Sequence, residues 1–273
     1  MSEYRVMRDR SLLFFIAFTL IGTLVLMSLG TWQWQRRAEK RAFIAQIAAA
    51  ATKSARPLAE GGLWERVSVT GRFLPEKTAF IRTSRPAPKP GERDRFGRVP
   101  VSGFGVQVIS AFNTEFCAAG SCRPVVILVN RGFLPTPPSG AIPPIETPSG
   151  LVTLTGFLRP GEREGLFPPH NDPGKGTFFF RSTQDIARHL GLSPQGEHPA
   201  LAFAASFDRE ADGAESQPPF GMDVPDLLKS IPDNHLEYAI TWWSLSLTNL
   251  AVAFAFLFGQ RRRRDENAVT DAN

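Results

Sequence analysis

Two long uncharged runs of apolar residues dominate the hydropathy pattern of this chain. The first, Leu12 to Leu29, contains 18 residues, and the second, Ala239 to Phe258, contains 20. An α-helix rises about 1.5 Å per residue, so roughly 20 residues cross a hydrocarbon core of about 30 Å. Buried helices of soluble proteins rarely extend so far without a polar face. The pattern therefore predicts two transmembrane helices, at residues 11–30 and 234–259.

A cleavable signal peptide is the alternative for the first run. Arg5, Arg8 and Arg10 precede it, and the small residues Ser28 and Gly30 near its end resemble a cleavage site. The apolar region is too long for a signal peptide, however, and helix-forming residues continue without a break. We therefore expect an uncleaved anchor followed by a helical extension over residues 31–55.

The positive charges beside the two runs predict the orientation of the chain. Arginines precede the first run, and Arg261–Arg264 follow the second. Short flanks rich in Lys and Arg remain in the cytoplasm. A basic cluster at residues 36–41 argues the other way, but long loops cross the membrane largely regardless of charge. We expect residues 1–10 and the basic tail 260–273 in the cytoplasm, and residues 56–233 on the outer side.

Between the runs, alternation of apolar and polar residues predicts a β-rich domain. About seven strands, separated by Pro- and Gly-rich segments, are expected: Val67–Thr70, Thr78–Arg82, Val99–Asn113, Pro124–Val129, Val152–Phe157, Thr177–Arg181 and Ala200–Phe207. Pro124–Val129 is apolar throughout, as expected of a strand covered on both faces. The predicted fold class is membrane α+β: two transmembrane helices flank an extracytoplasmic antiparallel β-rich domain, arranged as a sandwich or a partly closed barrel.

Finer features of the middle region give further expectations. Val67–Pro75 and Val152–Pro160 echo each other, and each strand stops at Thr-Gly, where glycine permits a bulge or a positive backbone angle. A short helix is predicted between its N-cap Ser182 and Gly191. Three segments are interpreted as surface loops: Thr83–Gly91, Pro135–Pro148 and Asp208–Pro219.

Small residues predict that the two spans touch. A ridge on the second span and a shared face of the first comprise Ala251, Ala255 and Gly259, with Gly22 and Gly30 opposite. Asn249 is positioned to add an interhelical hydrogen bond. Lipid-facing small residues are the alternative interpretation.

The net charge of +5 changes this picture little, because much of the excess lies in the four-arginine tail. Basic residues just beyond a span bind anionic lipid headgroups. The sequence contains no basic patch interleaved with aromatic residues, so nucleic acid is not an expected partner.

The sequence also lacks the motifs of serine hydrolases, P-loop enzymes, zinc peptidases and dinucleotide-binding enzymes. No enzymatic activity is expected.

The start of the second span carries the most informative local motif. Residues 234–237, Asn-His-Leu-Glu, have the form of a capping box, so Asn234 is the predicted N-cap and His235 the first helical residue, at the outer membrane interface. A helix N-terminus favours the neutral imidazole, which can ligate a metal. Tyr238 and Trp242 follow on the same face. This face either cradles a flat apolar cofactor such as haem or forms an aromatic belt at the interface.

Cys117 and Cys122 are the only two cysteines, and they lie between two predicted strands. In an oxidising compartment, a disulfide would staple this hairpin. Free thiols and a redox or copper-binding role are the alternatives. The spacing is not that of covalent haem attachment, and no neighbouring histidine indicates a zinc site.

Three motifs in this order resemble the Surfeit-locus protein one family of cytochrome c oxidase assembly factors, over nearly the whole chain. They are Leu29–Gln33 with Arg36, then Val129–Pro135, which reads Val-Asn-Arg-Gly-Phe-Leu-Pro, and His235 with Tyr238, Ala239 and Trp242. Two positions depart from the family pattern, since Phe133 and Glu39 stand where tryptophan is usual.

The resemblance implies a protein of the bacterial inner (plasma) membrane that helps to mature a haem-copper oxidase by binding haem a and handing it over. His235 would ligate the haem iron, with Tyr238 and Trp242 beside it. Arg131 would pair with a haem propionate or an acidic partner surface, or else stabilise its own turn. Expected partners are the catalytic subunit of cytochrome c oxidase, other assembly factors and membrane lipid, and the chain is compatible with a homo-oligomer. A haem-free membrane scaffold for an oxidase intermediate is the alternative.

Overall fold

The computed structural model describes residues 2–94, 96–165, 169–192, 205–211, 218–229, 231 and 233–270. Within them, the helices are α1 (Ser2–Ala51), α2 (Thr183–His189), α3 (Val224–Lys229) and α4 (His235–Thr270), with a 3-10 turn at Leu58–Glu60. The strands are β1 (Arg56–Pro57), β2 (Arg66–Arg85), β3 (Gly103–Ala118), β4 (Ser121–Pro135), β5 (Val152–Pro160) and β6 (Ala205–Arg209).

The chain divides into two compact units. The first, which we call the helical unit, comprises Met1–Ala45 and Ile231–Asn273, and the second, the β domain, comprises Gln46–Ser230. Two helical segments, Arg10–Ala51 and His235–Arg263, are long and apolar enough to cross a membrane. Most of their apolar side chains are exposed, as expected of surfaces that face lipid. The helix continues without interruption beyond the first span, as predicted, but it ends at Ala51, four residues before the predicted end at residue 55.

Polar side chains join the two long helices of the helical unit. Asn249 donates through Nδ2 to the carbonyl oxygen of Thr19 at 3.1 Å and to Oγ1 of Thr23 at 3.0 Å. Ser246 donates through Oγ to the carbonyl oxygen of Thr23 at 3.4 Å. Thr19 and Ser246 are buried. The interhelical hydrogen bond predicted for Asn249 is therefore confirmed.

The small-residue prediction is confirmed on α1 and wrong on α4. A Cβ at Gly22 would lie 3.6 Å from the Asn249 side-chain nitrogen, and a Cβ at Gly30 would overlap the indole of Trp243. The predicted ridge on α4 is instead exposed: Ala251, Ala255 and Gly259. The helix presents Ser246 and Asn249 to α1 because unpaired polar groups in hydrocarbon cost more than close packing of small residues gains.

The six strands of the β domain form one mixed sheet. The order of paired strands in the sheet is β1, β2, β3, β4, β6 and β5. β5 also pairs with β2. The β-rich prediction is confirmed, but a purely antiparallel arrangement is wrong for two pairs. β4 with β6 and β1 with β2 run parallel. The long segment between β4 and β6, which contains β5 and α2, provides the crossover that parallel pairing requires.

Several strand boundaries differ from those predicted. The separate strands Val67–Thr70 and Thr78–Arg82 are both part of β2, which continues through a register shift between Phe73 and Thr78. The loop predicted from Thr83 therefore begins only after Arg85. In the part of the chain that the structure describes, Thr177–Arg181 forms isolated bridges at its first two residues rather than a strand. Of the predicted strand Ala200–Phe207, residues 200–204 lie outside the described residues, and the remainder belongs to β6.

β4 is covered on both faces, as its continuous apolar run indicates. Residues 125–134 are all buried. On one face, Val125, Ile127 and Val129 pack with β2 residues and with Phe207 of β6. On the other face, Leu128 packs in a second cluster with residues of α2.

The predicted cap of α2 is also present, since Ser182 Oγ accepts a hydrogen bond from the Asp185 backbone N–H at 3.2 Å.

The echoing Thr-Gly pairs lie on neighbouring strands. β2 and β5 pair antiparallel, with Gly71 opposite Val152 and Val67 opposite Gly156. Neither glycine has a positive φ, so that part of the interpretation is wrong. Instead, a Cβ at Gly71 or Gly156 would overlap a backbone carbonyl oxygen of the adjoining strand. Glycine is required here because neighbouring backbone approaches too closely for any side chain.

Candidate functional site

The N-terminus of α4 places an imidazole at the start of a candidate membrane span. His235 is the first residue of the helix, and the Tyr238 backbone N–H donates to the Asn234 carbonyl oxygen at 3.3 Å. Glu237 lies in the first turn, where its negative charge suits the positive end of the helix dipole. The predicted helix start is confirmed, and it fixes the backbone that carries His235.

A hydrogen bond to α1 orients the His235 ring. Nδ1 of His235 lies 2.8 Å from Oε1 of Gln33, and both residues belong to the helical unit. A carbonyl oxygen only accepts, so with this amide orientation Nδ1 carries a proton, and in the neutral ring Nε2 then keeps its lone pair. Metal-ligating histidines commonly hold their second ring nitrogen in this way, which fixes the tautomer and the ring orientation. His235 is half-buried, so the ring is held but not enclosed.

Aromatic rings and a guanidinium lie on the same two helices. The Trp34 and Trp243 ring centroids are 6.0 Å apart, and Arg37 Cζ lies 5.5 Å from the centre of the Trp34 ring. Gly30 leaves room for the Trp243 indole. This arrangement combines an apolar surface with a cation, which suits a flat ligand that bears carboxylates.

The aromatic residues singled out from the sequence have different surroundings. Tyr238 is 55% exposed and Trp242 is half-buried, while Ala239 between them is fully buried. The tryptophan that contacts an aromatic ring of α1 is Trp243, which the spacing from His235 does not predict. Spacing at i+3 and i+7 from His235 selects Tyr238 and Trp242, whereas the packing of α4 on α1 uses Trp243, the residue after Trp242.

The Asn-Arg-Gly motif forms a β-bulge in the β domain. Asn130 faces Ile109 and Gly132 faces Val108, so Arg131 is the extra residue on β4. Arg131 is buried and donates to the carbonyl oxygen of Glu146 and to Thr147 Oγ1, the latter at 3.1 Å. Its guanidinium thus fastens the proline-rich segment after β4. These contacts reach a segment 15 and 16 residues further along the chain rather than a turn of its own, and the pairing of Arg131 with a propionate or an acidic partner surface stays a prediction.

A buried ionic cluster, which we call the Asp208 cluster, adjoins this bulge. Asp208 is fully buried and accepts hydrogen bonds from Arg181 at 2.7 Å, Arg159 at 2.9 Å and Asn130 at 3.0 Å. Burial would raise the pKa of Asp208, but the charges of Arg181 and Arg159 and the Asn130 amide together hold it below its ordinary value. The surface loop predicted to begin at Asp208 is wrong at this residue, because these partners compensate for its buried charge.

Cys117 and Cys122 are joined in a disulfide. They face each other across the β3–β4 hairpin, and both are exposed. Of the states considered from the sequence, the structure contains the hairpin staple. Its sulfurs lie in the β domain, one ladder pair before the turn formed by Ala119 and Gly120.

Together these observations define a class of protein: a chain with candidate membrane spans near both ends, a mixed β domain between them and a fixed histidine at the start of the second span. The SURF1 family model matches residues 20–247. This chain belongs to the SURF1 family.

Similar proteins cover most of the chain. A SURF1-like protein of Monosiga brevicollis is 32% identical over 240 residues, which are 84% of this chain and 82% of that protein. A SURF1-like protein of Rickettsia conorii is 26% identical over 243 residues, covering 88% of each chain. Surfeit locus protein 1 of Rattus norvegicus is 28% identical over 246 residues, which are 85% of this chain and 70% of that protein.

Proposed function

We propose that this protein is an assembly factor for a haem-copper (cytochrome c) oxidase and has no catalytic role of its own. Membership of the SURF1 family, which is associated with oxidase assembly, supports this function. We propose the oxidase catalytic subunit and other assembly factors as its partners.

We infer an arrangement with both termini in the cytoplasm and the β domain on the outer side of a bacterial inner membrane. Two candidate spans and the arginines that flank them support this arrangement. The return of β5 to β2 in the strand pairing supports a partly closed barrel for the β domain.

We infer further that the helical unit binds haem a, with His235 as the iron ligand. The observation that carries this inference is the Gln33 hydrogen bond, which holds Nδ1 and leaves Nε2 as a nitrogen donor. The residues fit the group: a neutral imidazole suits iron, and Trp34 and Trp243 offer apolar ring surface. Arg37, next to Trp34, supplies positive charge for a carboxylate.

Each of these residues has a distinct task in handover. Bound haem a would supply the redox-active iron that the oxidase requires. His235 and Gln33 set the direction of the donor nitrogen, and the tryptophans exclude water from one side. Because His235 is only half-buried and Tyr238 is exposed, an edge of the site stays accessible to a recipient. Such partial shielding suits transfer better than permanent retention.

The alternative is a haem-free scaffold that stabilises an oxidase intermediate. Exposed apolar side chains of the β domain favour this alternative, since Phe104 is 81% exposed and Leu151 is 64% exposed. Exposed large apolar residues can mark surfaces that bind other proteins. The two proposals share the partner and differ in the cofactor.

The visible absorption spectrum of protein purified from a host that makes haem a tests the proposal. Wild type should carry haem a, and His235→Ala should lose most of it, because the ring nitrogen that ligates iron is removed. His170→Ala is the matched control, since His170 is an exposed histidine of the β domain. A His235→Ala protein with full haem content and an unchanged spectrum would count against ligation by this residue.

A second measurement separates haem handling from scaffolding. Deleting the protein from its host should lower the haem a content of the oxidase, and the purified protein should retain the catalytic subunit. Retention of that subunit by a protein that carries no haem would support the scaffold. An unchanged haem a content of the oxidase after deletion, together with no retention of the catalytic subunit, would contradict an assembly role.

Gln33→Leu should weaken haem a binding by about 10–100-fold, as loss of a hydrogen bond to a ligating histidine commonly does. Gln33→Glu should retain most of the affinity, because a carboxylate oxygen also accepts from Nδ1–H. Haem titration followed by difference absorption measures the dissociation constant. Gln35→Leu is the control, since Gln35 is exposed on the same helix. Equal losses of haem affinity in the Gln33→Leu and Gln35→Leu variants would show that the hydrogen bond between Gln33 and His235 makes no specific contribution to binding.

A further inference from the structure

The tip of the β3–β4 hairpin extends past its neighbours in the sheet. The pairing of β2 with β3 ends at Thr114, and the pairing of β6 with β4 covers residues 128–130. Beyond these positions, residues 115–118 pair with residues 121–124. Among the described residues, no other strand pairs with this two-stranded segment, which we call the ribbon. The disulfide lies near its end.

Both cysteines of the ribbon are exposed, as are the turn residues between them. An attacking thiolate must approach a sulfur along the S–S axis, so access decides whether a disulfide exchanges in the folded protein. Exposed disulfides are in general the labile ones, whereas structural disulfides resist reduction. The ribbon therefore offers its sulfurs to another protein without any need for unfolding.

The backbone of the ribbon has its own reasons to form a hairpin. Ala119 and Gly120 have φ values of 51° and 78°, the positive angles that a tight two-residue hairpin turn requires. Cys117 and Cys122 are direct partners in the ladder, with Cα atoms 4.0 Å apart. After reduction, the ladder would keep the two thiols adjacent. If one of them attacks a partner disulfide, the other can displace the partner from the mixed disulfide intramolecularly, which proximity favours.

We propose that Cys117 and Cys122 form a reversible thiol–disulfide exchange site for a partner protein that carries a dithiol. One partner thiolate attacks a sulfur of the ribbon, the S–S bond breaks, and the other ribbon sulfur leaves as a thiolate. The second partner thiol, once deprotonated, then attacks the mixed disulfide. The partner ends as a disulfide, and Cys117 and Cys122 end as thiols after taking up two protons, so two electrons pass to the ribbon. This site is independent of haem binding.

Reduction of the full-length protein in detergent micelles by reduced thioredoxin tests the proposal. Thiols are counted by the mass shift on maleimide labelling, and folding is followed by circular dichroism. We expect both cysteines to become labelled while the circular dichroism spectrum stays native. A thioredoxin variant with its resolving cysteine replaced by serine should be trapped on the ribbon as a mixed disulfide. Reduction that occurs only after denaturant is added would overturn the proposal.

A Cys117→Ser, Cys122→Ser double variant provides the second measurement. If the turn and ladder hold the ribbon, the variant should fold and unfold like wild type and should form no adduct with the trapping thioredoxin. Collapse of the β domain in this variant would show that the disulfide is an obligatory staple, which would also overturn the proposal.

Discussion

Replacing Asp208 by asparagine is expected to lower the free energy of unfolding of the β domain by about 3–5 kcal/mol, the usual cost of removing one partner from a buried ion pair. Asparagine keeps the shape of the side chain but removes its charge. Arg181 and Arg159, both largely buried, would then lose the buried carboxylate that they share, and Arg181 would keep only its ion pair with the exposed Glu162. Denaturant unfolding of the full-length protein in micelles, followed by circular dichroism, measures the change.

The pH dependence of stability gives a second signature of Asp208. Its pKa is lower in the folded protein than its ordinary value of 3.8. The folded state therefore gains stability from the ionised carboxylate above that value, and the gain disappears as the pH falls through the folded pKa. Asp208→Asn should abolish this acid-sensitive component.

Asp172→Asn is the matched control for Asp208→Asn. Asp172 lies in the same domain, its side chain is 46% exposed, and its pKa is also lowered, chiefly by the Lys175 backbone N–H. Because water solvates both partners there, we expect no measurable change in unfolding. Equal effects of the two substitutions would contradict the role assigned to burial.

Gly132→Ala is expected to destabilise the β domain by about 2–5 kcal/mol, because it combines backbone strain with overpacking. Gly132 has a φ of 123°, and a Cβ would overlap the carbonyl oxygen of Phe220. Neither problem can be relieved by rotating a side chain. The same unfolding measurement reports the effect.

Two other glycines separate the two causes. Gly140 also has a positive φ, 73°, but a Cβ there would meet nothing within 4 Å, so Gly140→Ala tests backbone strain alone. Gly150 has neither a positive φ nor a close neighbour, and Gly150→Ala should be nearly neutral. A Gly132→Ala variant as stable as Gly140→Ala would show that contact with Phe220 has no energetic weight.

The features predicted well from the sequence are those set by neighbouring residues. The length of an uncharged run predicted both candidate spans. The N-cap Ser182 predicted the start of α2, and the motif at residues 234–237 predicted the start of α4. The continuous apolar run around Leu128 correctly indicated a strand buried on both faces. Parallel pairing of β4 with β6 was missed, because strand direction depends on a crossover that alternation does not encode.

The features predicted poorly depend on partners far away in the chain. Asp208 was predicted to begin a loop because its hydrogen-bond partners are distant in sequence. Asn130, Arg159 and Arg181 precede it by 78, 49 and 27 residues. In the candidate site, a capping motif located His235, whereas its hydrogen bond to Gln33 spans 202 residues. The choice of Trp243 over Trp242 depends on the rotation of α4 about its axis, which i+3 and i+7 spacing alone does not fix.

One side chain of the Asn-Arg-Gly motif connects two parts of the β domain. Asn130 donates to Asp208 at 3.0 Å and accepts from the Gly132 backbone N–H at 3.1 Å. Substitutions at Asn130 should therefore destabilise the β domain and lower the steady-state amount of the protein in the cell, because proteases degrade unfolded chains. They should not leave a normal amount of folded but inactive protein. Immunoblot abundance would distinguish such folding lesions from variants at Gln33, where steady-state levels should remain normal.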